Sequence, residues 1–108
     1  MSFWDKLFLN GIKSFLYGSI KIEFPNGEVE KIKSAHKGPT AHLKINDNLV
    51  TKEIIQGGSV RFAELYMSKR LFSKDLTNLL HYFALNNDQA EATLKISLIK
   101  YFFINFYT

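Results

Sequence analysis

A strictly alternating segment that runs into a turn is the feature that most constrains the fold of this 108-residue chain. Residues 19–24 alternate polar and apolar side chains, and Pro25-Asn26-Gly27 then supplies typical turn residues. Residues 28–32 alternate again. Because side chains of a strand alternate between its two faces, the pattern predicts an antiparallel hairpin. Its buried face is expected to hold Ile20, Ile22 and Phe24, with Val29 and Ile32 nearby.

Further strands and helices follow the hairpin. A loop over residues 34–40 contains Gly38-Pro39, and the alternation of residues 41–45 predicts a third strand. Asn46-Asp47-Asn48 ends that strand and is suited to cap a helix. The later elements are predicted as a short helix up to Gly57-Gly58, a turn over residues 60–62, a short helix over 63–68, an edge strand over 70–72 and a helix over 74–85 that Asn86-Asn87-Asp88 closes.

The N-terminal residues 2–17 predict an amphipathic helix. Its apolar residues recur at spacings of three and four, and Ser2 with Asp5 resembles a capping box at its start. We favour packing of this helix on the sheet. The alternative is a helix lying in a membrane interface, where Trp4, Lys6 and Lys13 would form the membrane surface. Gly18 is expected to end the helix.

These elements indicate an α+β fold: a twisted, mostly antiparallel sheet of about four strands with helices packed on one face. A chain of 108 residues is long enough for one core and too short for a second domain. We therefore predict a single domain over residues 1–108. It consists of the N-terminal helix (1–17), a central part (18–87) and a hydrophobic C-terminal segment (88–108).

The C-terminal segment is rich in Ile, Phe and Tyr. Over residues 93–107 the first half fits strand alternation almost as well as a helix, and a helix is predicted there only on a resemblance to a known family. The apolar block is too short to span a bilayer, which takes about 20 apolar residues, and Lys100 interrupts it. It is expected to pack on its own core, on a second copy of the chain or on a membrane surface.

Composition excludes several classes of site. The chain has no cysteine, so it forms neither disulfides nor thiolate zinc sites, and it is expected to fold in a reducing cytoplasm. The N-terminus lacks the pattern of a signal peptide. A net charge of +4, spread along the sequence, favours weak attraction to anionic surfaces such as phospholipid head groups over a nucleic-acid-binding stripe.

No catalytic or metal-binding motif is present. His36, His42 and His81 lack the spacing of metal ligands, so we predict no metal site. Glu64 lies among apolar neighbours in sequence, where burial would raise its pKa or demand a partner. We favour a structural role for this carboxylate over a head-group contact or a gate to an acyl pocket.

Several short motifs together carry a family resemblance. They are residues 18–22 with 24–27, residues 38–45, Gly57-Gly58 followed by Glu64-Leu65-Tyr66-Met67, and Asp75-Leu76 at the head of a leucine-rich helix. In this order the chain resembles, over roughly residues 18–87, the amino-terminal domain of cyclopropane-fatty-acyl-phospholipid synthases. That family commonly continues after Tyr-Met with an acidic residue, a glycine and an aromatic. Here Ser68, Lys69 and Arg70 follow.

The resemblance implies a sterol-carrier-protein-like domain that binds a fatty-acyl chain or phospholipid. The family's S-adenosylmethionine motif is missing, so we expect no cofactor and no catalysis by this chain, which either stands alone or works with a separately encoded methyltransferase. It is expected in the cytoplasm, free or peripheral at the inner membrane face, with no nucleic-acid partner. The alternative is an interaction module that forms a homodimer or docks a catalytic chain without lipid. The candidate lipid pocket consists of Phe62, Glu64, Leu65, Tyr66, Met67, Leu71, Phe72, Leu79 and Phe83.

Overall fold

The computed structural model describes residues 1–94 and 96. Its elements are α1 (Phe3–Lys13), β1 (Tyr17–Glu23), β2 (Val29–Lys33), β3 (His36–Ile45), α2 (Val50–Met67), β4 (Leu71–Phe72), α3 (Leu76–Leu85) and α4 (Asn87–Thr93). The predicted α+β class is confirmed, with four strands in one sheet and helices packed against it. The helix predicted over residues 93–107 lies almost wholly outside the described residues.

The sheet has the strand order β2-β1-β3-β4. β1 pairs antiparallel with β2, and β3 with β4, while the central pair β1 and β3 is parallel, so the sheet is mixed and mostly antiparallel. The inner face packs on the helices through side chains that are almost fully buried: Ile20, Ile22, Ala41, Leu43, Ile45 and Leu71.

The outer face is turned away from this core. It consists of Ser19, Lys21 and Glu23 of β1, Val29, Lys31 and Lys33 of β2, Thr40, His42 and Lys44 of β3, and Phe72 of β4. Val29 belongs here because it pairs with Glu23, so its predicted place beside the buried face is wrong. Ile32 pairs with Ile20 and packs against the core as predicted.

The link from β2 to β3 crosses the start of β1 in only two residues. The N–H of Ser34 donates to the carbonyl of Gly18 (2.9 Å), and the N–H of His36 donates to the carbonyl of Leu16 (3.0 Å). Residues 36–40, predicted as loop, already belong to β3. Tyr17 is opposite His36 and Ser19 is opposite Thr40, so four residue steps of β3 run beside only two of β1. This part of β3 therefore bulges. We call residues 34–40 the crossover.

Two glycines make the crossover possible. Gly18 has a φ of +84°, and a Cβ at this position would lie 2.5 Å from the carbonyl oxygen of Pro39. A Cβ on Gly38 would lie 2.8 Å from the amide nitrogen of Gly18. Backbone therefore approaches backbone at a distance that no side chain permits. Gly18 lies within β1, and α1 already ends at Lys13. The prediction that Gly18 ends the first helix is therefore wrong.

Helix α1 begins as predicted and ends early. The side chain of Ser2 accepts the N–H of Asp5 (3.1 Å), which confirms the predicted start. The helix stops at Lys13 because the next residues are held by the fully buried Asn86. Its side chain accepts the N–H groups of Leu16 (2.8 Å) and Tyr17 (3.0 Å), and donates to the carbonyls of Tyr17 (2.9 Å) and Tyr82 (2.8 Å).

Helix α2 is kinked at Gly58, where φ is 65° and ψ is −148°. The predicted glycine break is confirmed, but the second helical half follows directly, so the predicted turn over residues 60–62 and the helix start at 63 are wrong. Gly57 leaves room for Arg61, whose Cβ would lie 2.4 Å from a Cβ at position 57. The Arg61 guanidinium binds Glu53, which ties the two halves of α2 together.

The region after α2 agrees with the sequence. β4 is the predicted edge strand and α3 the predicted leucine-rich helix. Asp75 caps α3 by accepting the N–H of Asn78 (3.0 Å), and the N–H of Asp75 donates to Ser73 Oγ (3.2 Å).

Candidate functional site

The residues predicted to form one lipid pocket separate into a core set and a surface set. Phe62, Leu65, Leu71, Leu79 and Phe83 are at most 2% exposed. Tyr66, Met67 and Phe72 are exposed to solvent. The predicted pocket is therefore not one enclosed space lined by all of these side chains.

Phe83 is the centre of the core set. Its ring contacts the rings of Phe62, Phe15 and Tyr82, with centroid distances of 5.5, 5.7 and 5.8 Å. Such edge-to-face contacts are typical of packed aromatic cores. Phe62 of α2 and Phe83 of α3 touch directly. The part of the predicted lipid pocket that would lie between these two helices is therefore filled by the rings themselves.

Glu64 is exposed, so its predicted burial among apolar side chains is wrong. Its carboxylate binds the guanidinium of Arg61 at 3.2 Å, one helical turn away. Phe62 and Leu65 are three residues apart and share the buried side of α2, whereas Glu64 lies on the exposed side.

The surface set forms an open groove between the end of α2 and β4. Its volume is about 480 Å³. Met67 is 69% exposed and Phe72 47% exposed, which is unusual for side chains of this size. We call it the β4 groove; it is lined by Asn46, Tyr66, Met67, Lys69, Leu71 and Phe72.

Lys69 is at the rim of the β4 groove in a strained backbone conformation. Its φ is +62°, in the left-handed region that favours glycine. The turn is closed by hydrogen bonds from the N–H of Lys69 to the carbonyl of Tyr66 (3.1 Å) and from the N–H of Arg70 to that of Leu65 (2.9 Å). Asn46 Nδ2 donates to the carbonyl of Lys69 (2.9 Å). The cyclopropane synthases that the sequence resembles commonly have a glycine at the position that Lys69 would occupy, two residues after Tyr-Met.

A cluster of ion pairs holds β4 against α2. Arg70 binds Asp47 through two hydrogen bonds of 2.9 and 3.1 Å, and it also binds Glu53. The hydrogen bond from Arg70 lowers the pKa of both carboxyl groups, and Arg61 adds to the effect on Glu53. The walls of the groove are thus fixed to each other behind its apolar lining.

The outer face carries four lysines, Lys21, Lys31, Lys33 and Lys44. Lys21 and Lys31 are directly opposite each other on neighbouring strands, an arrangement that costs stability. Within the described part of the chain, none of the four takes part in an ion pair. The face is therefore basic, and its charge is only partly compensated: Lys21 and Lys44 lie near Glu23 and contribute to the lowering of its pKa, after the larger effect of its hydrogen bond to His42.

Glu23, the carboxylate of the outer face, is engaged by His42. The two side chains are 2.5 Å apart, from Nε2 to Oε2, and this hydrogen bond lowers the pKa of Glu23. Nδ1 of His42 accepts the N–H of Lys74 at 3.0 Å. Because Nδ1 is an acceptor, the neutral ring carries its proton on Nε2 and donates it to Glu23.

The predicted membrane surface of α1 is on the helical side of the molecule. Lys6 and Lys13 are exposed. Trp4 is half-buried, with the Lys52 ammonium 5.8 Å from its ring centroid and the Phe3 ring packed at 5.4 Å. The favoured packing of this helix on the globule is confirmed by its buried residues Phe8, Leu9 and Ile12. A membrane role for Trp4, Lys6 and Lys13 stays a prediction.

Residues 1–94 and 96 contain neither a candidate metal site nor a candidate membrane-spanning helix. Those residues contain no group of three or more His, Asp or Glu side chains close enough to hold a metal ion. His36 and His42 are on β3 and His81 on α3. None of the described helices has the length and apolar character needed to cross a bilayer.

Comparison with known proteins gives one match. Residues 3–94 match a family described as "Domain of unknown function (DUF7884)". No curated protein and no solved structure matches the chain. Because the match spans α1 to the end of α4, it includes both the β4 groove and the outer face. The chain belongs to the DUF7884 family, whose function is unknown.

Proposed function

We propose that this chain is a non-catalytic domain that binds anionic phospholipid, with the outer face against the head groups and an acyl segment in the β4 groove. The observation that supports it most strongly is the position of the groove. Phe72 is at once a residue of the outer face and a wall of the groove, and it pairs with Lys44. A basic surface and an exposed apolar site are therefore continuous.

Charge supplies the first part of the interaction. A lysine near an anionic bilayer contributes about 1 kcal/mol, and this attraction decays within a Debye length, about 10 Å at 0.1 M salt. Four lysines without described carboxylate partners, set against one glutamate that His42 engages, give the outer face a net positive charge. The binding is expected to be reversible and sensitive to salt.

Apolar contact supplies the second part. Stable attachment to a bilayer usually needs a second signal besides charge. Tyr66, Met67 and Phe72 offer one, because they expose large apolar side chains beside the lysines. Their groove of about 480 Å³ is large enough for a segment of acyl chain.

Lys69 supports the same assignment. A non-glycine residue in the left-handed region costs about 1 to 2 kcal/mol. The left-handed conformation is common directly after a helix C-terminus, which is where Lys69 follows α2. Here it holds an ammonium group at the rim of an apolar groove, a position suited to the phosphate of a lipid whose acyl chain is in the groove.

The resemblance to the synthase amino-terminal domain points to the same ligand class, and a methyltransferase acting in trans belongs to this proposal. A sterol-carrier-like fold likewise stays a prediction. The other candidate is an interaction module, in which a second copy or a catalytic chain covers the β4 groove. Nucleic acid is less well supported, because the outer face holds one aromatic side chain, Phe72, and no row of stacking residues.

Vesicle flotation tests the proposal. The chain should float with vesicles containing phosphatidylglycerol at low salt and much less with neutral phosphatidylcholine vesicles. Met67→Ser with Phe72→Ser should weaken flotation at least tenfold, because it removes the apolar contact. The matched control is Phe3→Ser with Val60→Ser, which removes two equally exposed apolar side chains elsewhere and should have little effect.

Three results would contradict the proposed mode of binding. Equal flotation with neutral and anionic vesicles would remove the role of the lysines. Equal losses in the two serine variants would remove the role of the groove. A tight dimer in detergent-free buffer that carries no acyl species by native mass spectrometry, and that Met67→Ser with Phe72→Ser dissociates, would establish the interaction module instead.

A further inference from the structure

A second cavity lies at the crossover, at the other end of the outer face. It has a volume of about 480 Å³ and is open on one side. We call it the crossover pocket; it is lined by Gly18, Ser19, Lys33, Ser34, Ala35, His36, Lys37, Gly38 and Thr40. The sequence predicts only an exposed loop here, whereas residues 36–40 belong to β3.

The lining of the crossover pocket consists of hydrogen-bond donors and positive charge. Ser19 and Thr40 contribute two hydroxyl groups, and Lys33 and Lys37 contribute two ammonium groups. No carboxylate is among the described lining residues. A site with cations and hydroxyls and without acids selects an anion.

The Ser34 hydroxyl does not face the open side of the pocket. Its Oγ is buried against the Tyr82 hydroxyl of α3, whose pKa it lowers against the larger rise caused by burial. The hydroxyls available to a ligand are therefore those of Ser19 and Thr40, which lie on the outer face beside Lys33.

The glycine pair keeps the pocket open. The Cβ that a side chain would add at Gly18 or Gly38 meets backbone within 3 Å, so the backbone itself forms this part of the wall. His36 packs on the Tyr17 ring, with centroids 5.4 Å apart, which holds the imidazole at the edge of the pocket. The short connection between β2 and β3 thus builds a defined cavity, not a loose surface patch.

We infer that the crossover pocket binds a phosphate group. A phosphate monoester carries a charge of about −1.5 to −2 at neutral pH and three strongly accepting oxygens, which match two lysines and two hydroxyls. The group can come from a soluble phosphate compound or from a lipid head group that ends in a phosphate monoester. The lipid source rests on the proposed function, whereas the phosphate site rests on its own residues.

The pocket and the β4 groove are separate sites. His36 is opposite Tyr17 and Lys44 is opposite Glu23, so six residue steps of β1, of about 3.3 Å each, put these two positions of β3 about 20 Å apart. The two cavities share no lining residue. On a membrane they would meet the head groups at different places on the same outer face.

Titration with inorganic phosphate tests the site. We expect amide resonances of the crossover to shift on addition of phosphate and not on addition of chloride at the same ionic strength. Lys33→Gln with Lys37→Gln should weaken phosphate binding about tenfold or more, since hydrogen bonds to charged groups are among the strongest. The control, Lys6→Gln with Lys13→Gln, removes the same charge on the helical side of the molecule and should change affinity less than about twofold.

Vesicles then identify the source. Flotation of the wild-type chain with phosphatidic acid that exceeds flotation with phosphatidylglycerol of equal charge, and that Lys33→Gln with Lys37→Gln abolishes, assigns a lipid phosphate. Binding of inorganic phosphate without flotation leaves the site in place for a soluble phosphate compound and overturns the proposed membrane function. The absence of crossover shifts, or equal losses in the two lysine variants, overturns the phosphate site.

Discussion

The two faces of the sheet are made by alternate residues of the same strands, yet they differ completely in environment. On β1, Ile20 and Ile22 are buried under the helices while Lys21, between them, belongs to the open outer face. Buried apolar area stabilises the fold, whereas like charges on neighbouring strands cost stability and attract anions. The contrast teaches that stability and the proposed binding are carried by different side chains. Substitutions should therefore separate them.

The largest effect is expected on the inner side. Phe83→Ala should lower the free energy of unfolding by about 3 to 5 kcal/mol, because it removes a ring that three other aromatic rings contact. Chemical denaturation measures this. Phe72→Ala is the matched control on the outer face, where the ring is half exposed, and should cost about 1 kcal/mol or less. Similar losses for the two variants would break the comparison between the faces.

A somewhat smaller effect is expected at Asn86. Asn86→Ala removes a buried side chain that makes three hydrogen bonds to the backbone of residues 16 and 17 and one to the carbonyl of Tyr82, and it leaves those backbone groups without this partner. We expect a loss of about 2 to 3 kcal/mol. Asn10→Ala, at an exposed position of α1, is the control and should change stability by less than about 0.5 kcal/mol. A neutral Asn86→Ala would show that other groups hold residues 16 and 17.

The smallest effect sharpens the comparison, because it has opposite signs for stability and binding. Lys69→Gly relieves the left-handed backbone and should raise the free energy of unfolding by about 1 kcal/mol. The same change removes an ammonium from the β4 groove and should weaken binding to anionic vesicles. Lys69→Gln separates the two causes: it keeps the strain and should weaken binding alone. Unchanged binding in both variants would remove Lys69 from the proposed site.

Local signals in the sequence predicted much of the fold. The hairpin, the kink at Gly58 and the cap of α3 depend on neighbouring residues, and all three are confirmed. The early end of α1 and the crossover depend on contacts distant in sequence. Asn86 binds residues 16 and 17, which are about 70 positions earlier in the sequence. Gly18 of β1 contacts Gly38 of β3, with all of β2 between them in the sequence. No local pattern contains that information.

The candidate site was predicted less well than the fold, for a different reason. Apolar neighbours in sequence suggested that Glu64 is buried, but neighbours on a helix point to different sides. The spacing of Phe62 and Leu65 already marks the buried side of α2, and applied consistently it places Glu64 and Tyr66 elsewhere. The basic outer face was also present in the sequence, as the polar positions of the alternating strands. Which polar residues would meet across strands required the register.

The most direct test of the central claim compares lysines of the outer face with lysines of the helical side. Binding to phosphatidylglycerol vesicles is measured at low salt for Lys21→Gln with Lys44→Gln and for Lys6→Gln with Lys13→Gln, two variants with the same net charge. At about 1 kcal/mol per lysine, the outer-face variant should bind about tenfold to thirtyfold more weakly than the wild type. The helical-side variant should bind within about threefold of it. Equal weakening, or a larger loss in the helical-side variant, would contradict binding through the outer face.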